Sequence, residues 1–242
     1  MTSGVAVIWA PYCGVAPGAG EWRWNLDPVL LAVLALMTAF VVLRAHGRER
    51  VFGLAAIGVL IVGFVSPLCA LSSALFSART VHHVLLVAVA APLLTYALPP
   101  RKAGPLALAT AAQAAIFWVW HAPAAYAWAL SSDAAYWLMQ VSLLASAAWF
   151  WAAVRRASAP AAVAHLLIAM VAMGLLGALL VFTGQPLYAP HALTTVAWGL
   201  SALEDQQLAG LIMWAPAAAL YLAAALVRLG RWIGPRPEPD AA

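Results

Sequence analysis

PAAVAHLLIAMVAMGLLGALLVF, residues 160–182, runs through 23 positions without a formal charge. As a helix rising 1.5 Å per residue it is about 34 Å long, enough to cross a hydrocarbon core about 30 Å thick. Its one ionisable side chain is His165. Six further apolar stretches resemble it, at 28–43, 51–70, 81–98, 105–128, 134–154 and 206–228. Over 242 residues, 66% are hydrophobic and 8% charged, and the mean hydropathy is +0.94. A soluble domain is about a quarter charged, which excludes that class. Backbone in lipid must satisfy its own hydrogen bonds, so a spanning chain is either helical or a closed barrel. Barrel strands alternate apolar and polar residues, whereas these runs are continuously apolar. The expectation is an all-α integral membrane protein, a bundle of seven transmembrane helices. Pro28, Pro105 and Pro160 stand at span starts, where a missing N–H costs nothing.

The basic residues orient the bundle. Arg44, Arg48, Arg50, Arg101, Lys102, Arg155, Arg156, Arg228, Arg231 and Arg236 fall on one side, ten of the twelve, leaving Arg23 and Arg79 on the other. Basic residues collect in cytoplasmic loops, so the N-terminus is expected outside and the C-terminus in the cytoplasm. The same rule accounts for the net charge of +4 without nucleic acid. The organisation read from this is an outer N-terminal segment over 1–27, the seven-helix domain over 28–230, and a disordered cytoplasmic tail over 231–242. Residues 1–20 lack the basic start of an ordinary signal peptide. Cys13 and Cys69 are able to pair, though spacing alone leaves this open. The tryptophans cluster near span ends as an aromatic belt, and Gly174 and Gly177 suit close helix contact.

Polar side chains gather at the outer ends. His82 and His83 open span three, His121 lies in the outer half of span four, Cys69 ends span two, and His191 precedes span seven. Asp205 opens span seven, with Met213 two turns deeper on the same stripe. Ionisable groups in a bilayer face the bundle interior or a cavity, and imidazole, carboxylate, thioether and thiolate together suit a transition metal, the sulfur ligands favouring Cu(I). The candidate metal ligands are therefore His83, His121, Asp205, Met213, His82 and Cys69. Plainer readings stand beside each. Adjacent His82 and His83 point about 100° apart and cannot both face inward. Asp205 also suits the N-cap of its own helix, and Met213 and Cys69 suit core packing.

VHHVLLVAVAAPLLTYALP (81–99), WHAPAAYAWAL (120–130), YWLMQVSLLASAAWFW (136–151) and LEDQQLAGLIMWAP (203–216) resemble, in that order, the CtaG family of cytochrome c oxidase assembly factors. The resemblance places the family's H-x-L-L histidine on His83 and its W-H-x-P-x-x-Y histidine on His121. Its Asp-Gln, Gly and Met-Trp signature falls on Asp205, Gln206, Gly210, Met213 and Trp214. It implies a multi-pass protein of the bacterial inner membrane, with segment 1–27 in the periplasm. The implied partners are cytochrome c oxidase subunits, a periplasmic copper chaperone and membrane lipid, with copper as the implied cofactor. Two departures accompany it: where many relatives carry further histidines, this chain has Arg79 or Thr80 and Gln140.

Three other functions compete: a copper or small-solute transporter, a haem-binding redox protein with facing axial histidines, and a scaffold without a ligand. The inner halves of the spans are nearly apolar, apart from Gln113 and His165, which disfavours a conduction path. Ser72, Ser73 and Ser77 near His82 lack the base-and-orienter arrangement of nucleophilic catalysis. Ser66–Ser77 reads as an outer loop, and the protein reads as a non-enzyme.

Overall fold

The computed structural model describes residue 9 and residues 11–98 and 102–234. Among these residues every regular element is helical and none is a strand. The helices are α1 (Pro28–Arg44), α2 (Gly47–Phe64), α3 (Pro67–Ala74), α4 (Phe76–Ala97), α5 (Leu106–Trp120), α6 (Pro123–Ala129), α7 (Asp133–Arg156), α8 (Ala159–Phe182) and α9 (Ala202–Ile233). Four of them, α4, α7, α8 and α9, are long and apolar enough to cross a membrane. A fifth crossing results if α2 and α3, bent by 44° at their junction, form one span. α1 and α5 are shorter apolar helices. The protein is a helical membrane protein.

Helix ends follow local chemistry. Asp27 caps α1, accepting from Leu30 N at 2.8 Å, with Pro28 in the first turn. Ser66 starts α3 with Pro67 behind it, so the stretch expected as an outer loop is a short helix running into α4. α4 and α9 each contain a π-turn, at Leu85–Ala90 and Met213–Ala217. Pro92, just past the first, has no N–H to give back along the helix. The indole N–H of Trp151 instead donates to Val87 O at 2.9 Å. Trp151 is thus buried and structural rather than part of an interfacial belt.

The pairs α1–α2, α2–α4, α5–α7 and α8–α9 pack side by side. α8 and α9 approach most closely at Gly177 and Gly210. A Cβ on Gly177 would lie 2.7 Å from Gly210 O, and one on Gly210 2.6 Å from Gly177 O. Gly174, expected to share this contact, has nothing nearer than Trp214 at 3.9 Å.

The bundle has two chemically distinct ends. At one, Arg50 donates to Ala45 O at 3.0 Å, Arg228 to Ala157 O at 2.7 Å, and Arg155 to Thr95 O. Each of those carbonyls ends a helix, where a cation also meets the favourable end of the dipole. At the other end Cys13 and Cys69 form a disulfide. There the N-terminal segment is tied down further by Asn25, which bonds Val65 O and Phe64 O, and by Trp198, which donates to Pro17 O. Arg231–Ile233, expected in the tail, belong to α9, and Gly234 caps it; residues 235–242 of that tail and Arg101 lie outside the described residues.

Candidate functional site

The LEDQQ mouth of α9 lies at the disulfide end, and its four polar side chains have separate tasks. Glu204 forms a capping box with Ser201, each accepting from the other's backbone N–H at 2.8 and 3.2 Å. Gln206 accepts from Leu187 N at 2.7 Å and donates to Leu180 O and Gln185 O, both at 3.2 Å. Gln207 donates to Val181 O. Asp205 caps a helix other than its own. Its carboxylate accepts from Phe76 N at 2.6 Å, from Ser77 N at 3.1 Å and from the Ser77 hydroxyl. These are the free N–H groups of α4, whose own N-cap residue, Leu75, has no acceptor to offer.

Nearly two turns below that cap, two of the expected ligands meet. His83 Nδ1 and His121 Nε2 are 3.4 Å apart, with the rings edge to face at 86°. Both residues are buried. His121 ends α5, where the chain breaks before Pro123, so its ring turns back to place Nδ1 2.7 Å from Phe117 O. A carbonyl only accepts, so Nδ1 carries the proton and Nε2 presents a lone pair to His83. Such an outward hydrogen bond is the usual orienter of a metal-ligating histidine. The Tyr188 hydroxyl donates to His121 O at 2.6 Å and holds the backbone as well. His83 Nε2 has no hydrogen-bond partner among the described residues.

The other expected ligands lie elsewhere. Cys69 is in the disulfide and offers no thiolate. Asp205 spends both oxygens on α4. His82 turns away from the pair, edge-on to Phe64 at 4.7 Å and against Gly63. Met213 is buried in the π-turn of α9, its Cβ close to Gly177 at the α8–α9 crossing. Among the described residues no three of His, Cys, Asp and Glu converge to hold an ion. What remains of the expected set is a pair of imidazole nitrogens, the two groups here that could hold a metal ion. A 3.4 Å gap is short enough for two metal–nitrogen bonds of about 2 Å each to bridge.

Three neighbours were not legible as site residues. His191 is buried between helices, its Nε2 2.6 Å from the Tyr126 hydroxyl and its Nδ1 3.2 Å from Ala74 O. Burial pushes its imidazole down to about 3, with the Arg79 charge adding to the effect, so it is neutral. Burial likewise raises the Tyr188 phenol. Arg79, expected merely as one of the two basic residues of the outer side, is fully buried one helical turn before His83. Its guanidinium lies 5.2 Å over the Tyr136 ring, and Gln140 follows Tyr136 by one turn. The two departures from the family pattern thus sit against the same tyrosine.

A family model described as cytochrome c oxidase caa3 assembly factor (Caa3_CtaG) matches residues 104–234, over half of the chain. That stretch holds α5 to α9, including His121, Asp205 and Met213. No curated protein and no solved structure matches.

Proposed function

The chain belongs to the cytochrome c oxidase caa3 assembly factor family, and we propose that it serves oxidase assembly by holding copper between His83 and His121. Copper is the cargo here, passed to the oxidase's catalytic subunit. The carrying observation is the buried 3.4 Å contact of two imidazole nitrogens, one with its proton position set by Phe117 O. Imidazole suits copper, and a soft ion of low coordination number suits a site with two ligands. The proposed role is one of binding and transfer, in keeping with the family's description as an assembly factor.

In this reading the seven apolar helical columns all cross the bacterial inner membrane, with the disulfide end in the periplasm. Two independent features support that orientation. The arginines gather at the opposite end, as cytoplasmic residues do, and a disulfide belongs to an oxidising compartment. The site then lies within reach of a periplasmic copper chaperone. The haem alternative is weaker, because two rings in direct edge-to-face contact leave no slot for a macrocycle between them.

The test is Cu(I) affinity of the purified full-length protein in detergent, by competition with a chromogenic chelator. One equivalent should bind, and His83→Ala and His121→Ala should each weaken it by more than about tenfold, the loss seen even for outer-shell partners. Unchanged affinity in the double variant would remove copper from the proposal.

A further inference from the structure

Arg79 is completely buried, and among the described residues its three nitrogens have no carboxylate or carbonyl partner, only the Tyr126 and Tyr136 hydroxyls within loose reach. Its closest company is aromatic: the Tyr136 ring below it, with the Tyr126 and Tyr136 hydroxyls alongside. A guanidinium stays charged at any accessible pH. A charge held inside a membrane bundle without an opposite charge is among the most costly arrangements a protein can adopt.

The acids among the described residues are engaged elsewhere. Asp205 caps α4, Asp27 caps α1, Glu204 closes the box at Ser201, and Glu21 accepts from Gly18 N. Glu49 and Asp133 stand in the first turns of α2 and α7. Beside Arg79, Gln140 is also buried, and among the described residues its amide has the Tyr136 hydroxyl as a neighbour but no partner in ordinary hydrogen-bond geometry. Gln140 alone of these residues borders a mainly apolar groove of about 500 Å³ between α1, α2 and α7, which is the side from which a small molecule would reach the cluster.

We propose that Arg79, Gln140 and the Tyr136 hydroxyl bind one small carboxylate anion, and that this anion sets the copper affinity of the His83–His121 pair; the Tyr126 hydroxyl is already donated to His191 Nε2. The second half rests on the copper reading above; the first half does not. The cluster carries a single formal charge, and its other members are neutral donors, so a monovalent anion balances it and a divalent one overshoots. The planar fork of a guanidinium matches a carboxylate through two parallel hydrogen bonds. His83 follows Arg79 by four residues and shares its face of α4. A fixed positive charge at that range opposes an arriving Cu(I) by a factor on the order of 10- to 100-fold, and a bound carboxylate removes the opposition.

Formate is the probe, with gluconate, too bulky for the cluster, holding ionic strength constant. In the purified full-length protein, formate should raise the Tm saturably, by about 5–10 °C at a hundredfold excess over its dissociation constant. Arg79→Gln removes an uncompensated charge and should fold but lose the response; Arg79→Lys should keep a weakened one. A wild-type Tm indifferent to formate overturns the anion site. Formate should also tighten Cu(I) binding at least about tenfold in wild type, whereas Arg79→Gln should bind Cu(I) tightly with or without it. A formate-dependent Tm in a protein that binds no copper keeps the anion site and removes the copper reading. Copper binding tightened by formate equally in Arg79→Gln places formate on the metal and overturns the coupling.

Discussion

Replacing Asp205 by alanine separates the two roles that a carboxylate at this position can play. In the structure it serves Phe76 N, Ser77 N and the Ser77 hydroxyl, groups that are 1–4% exposed and out of reach of water. The alanine variant leaves two buried backbone donors unpaired, each costing about 1–3 kcal/mol; the hydroxyl can rotate toward a carbonyl of its own helix. Relief of the carboxylate's own desolvation offsets part of this, so the net loss is about 3 kcal/mol. For a chain of this size that lowers Tm by about 9 °C, at about 2–4 °C per kcal/mol. Asp205→Asn keeps one acceptor oxygen and should cost about 1 kcal/mol, the usual worth of an N-cap. Thermal unfolding in detergent, followed by tryptophan fluorescence, reads both, and a cycle with Ser77→Ala should give a coupling of about 1 kcal/mol or more. Cu(I) affinity should be unchanged in Asp205→Asn. An alanine variant with wild-type Tm and collapsed copper affinity would refute the cap and make Asp205 a ligand.

Three further outcomes follow from the packing and the disulfide end. Gly210→Ala should cost about 1–3 kcal/mol or more, since its Cβ would meet Gly177 O at 2.6 Å, while Gly174→Ala, with nothing inside 3.9 Å, should leave the Tm within about 2 °C of wild type. Cys13→Ser with Cys69→Ser should lower stability by about 2–4 kcal/mol and expose segment 11–27 to protease, yet leave Cu(I) affinity intact, because Cys69 is not a ligand. His191 is neutral when folded, its imidazole held at about 3, and ionises near 6.5 when unfolded. Its contribution is therefore complete above pH 6.5 and declines as pH falls from 6.5 toward 3, by at most about 1.4 kcal/mol per unit. His191→Gln should flatten that part of the stability–pH profile, and an unaltered profile would mean that His191 is not what titrates.

The meeting of His83 and His121 was legible in the sequence, because both lie near the same end of oppositely running apolar helices. So were the grouping of arginines and the close contact at Gly177. The partner of Asp205 was not. A carboxylate in a first turn reads as a cap for its own helix, yet here Ser201 and Glu204 fill that need and Asp205 reaches across 129 residues of chain to α4. Arg79 gave no signal of burial either, since a basic residue near a span end is ordinarily solvated.

The chain's apolar runs and the distribution of its charges were enough to establish a helical membrane protein and to argue its orientation, because transfer to lipid is a sum over local residues and each helix satisfies its own backbone. Which polar group answers which is not additive in that way. It depends on where separate helices cross and how far each side chain reaches. Only the tertiary structure could take Cys69 and Asp205 out of the ligand set, leave two histidines facing one another, and bring Arg79 beside Gln140.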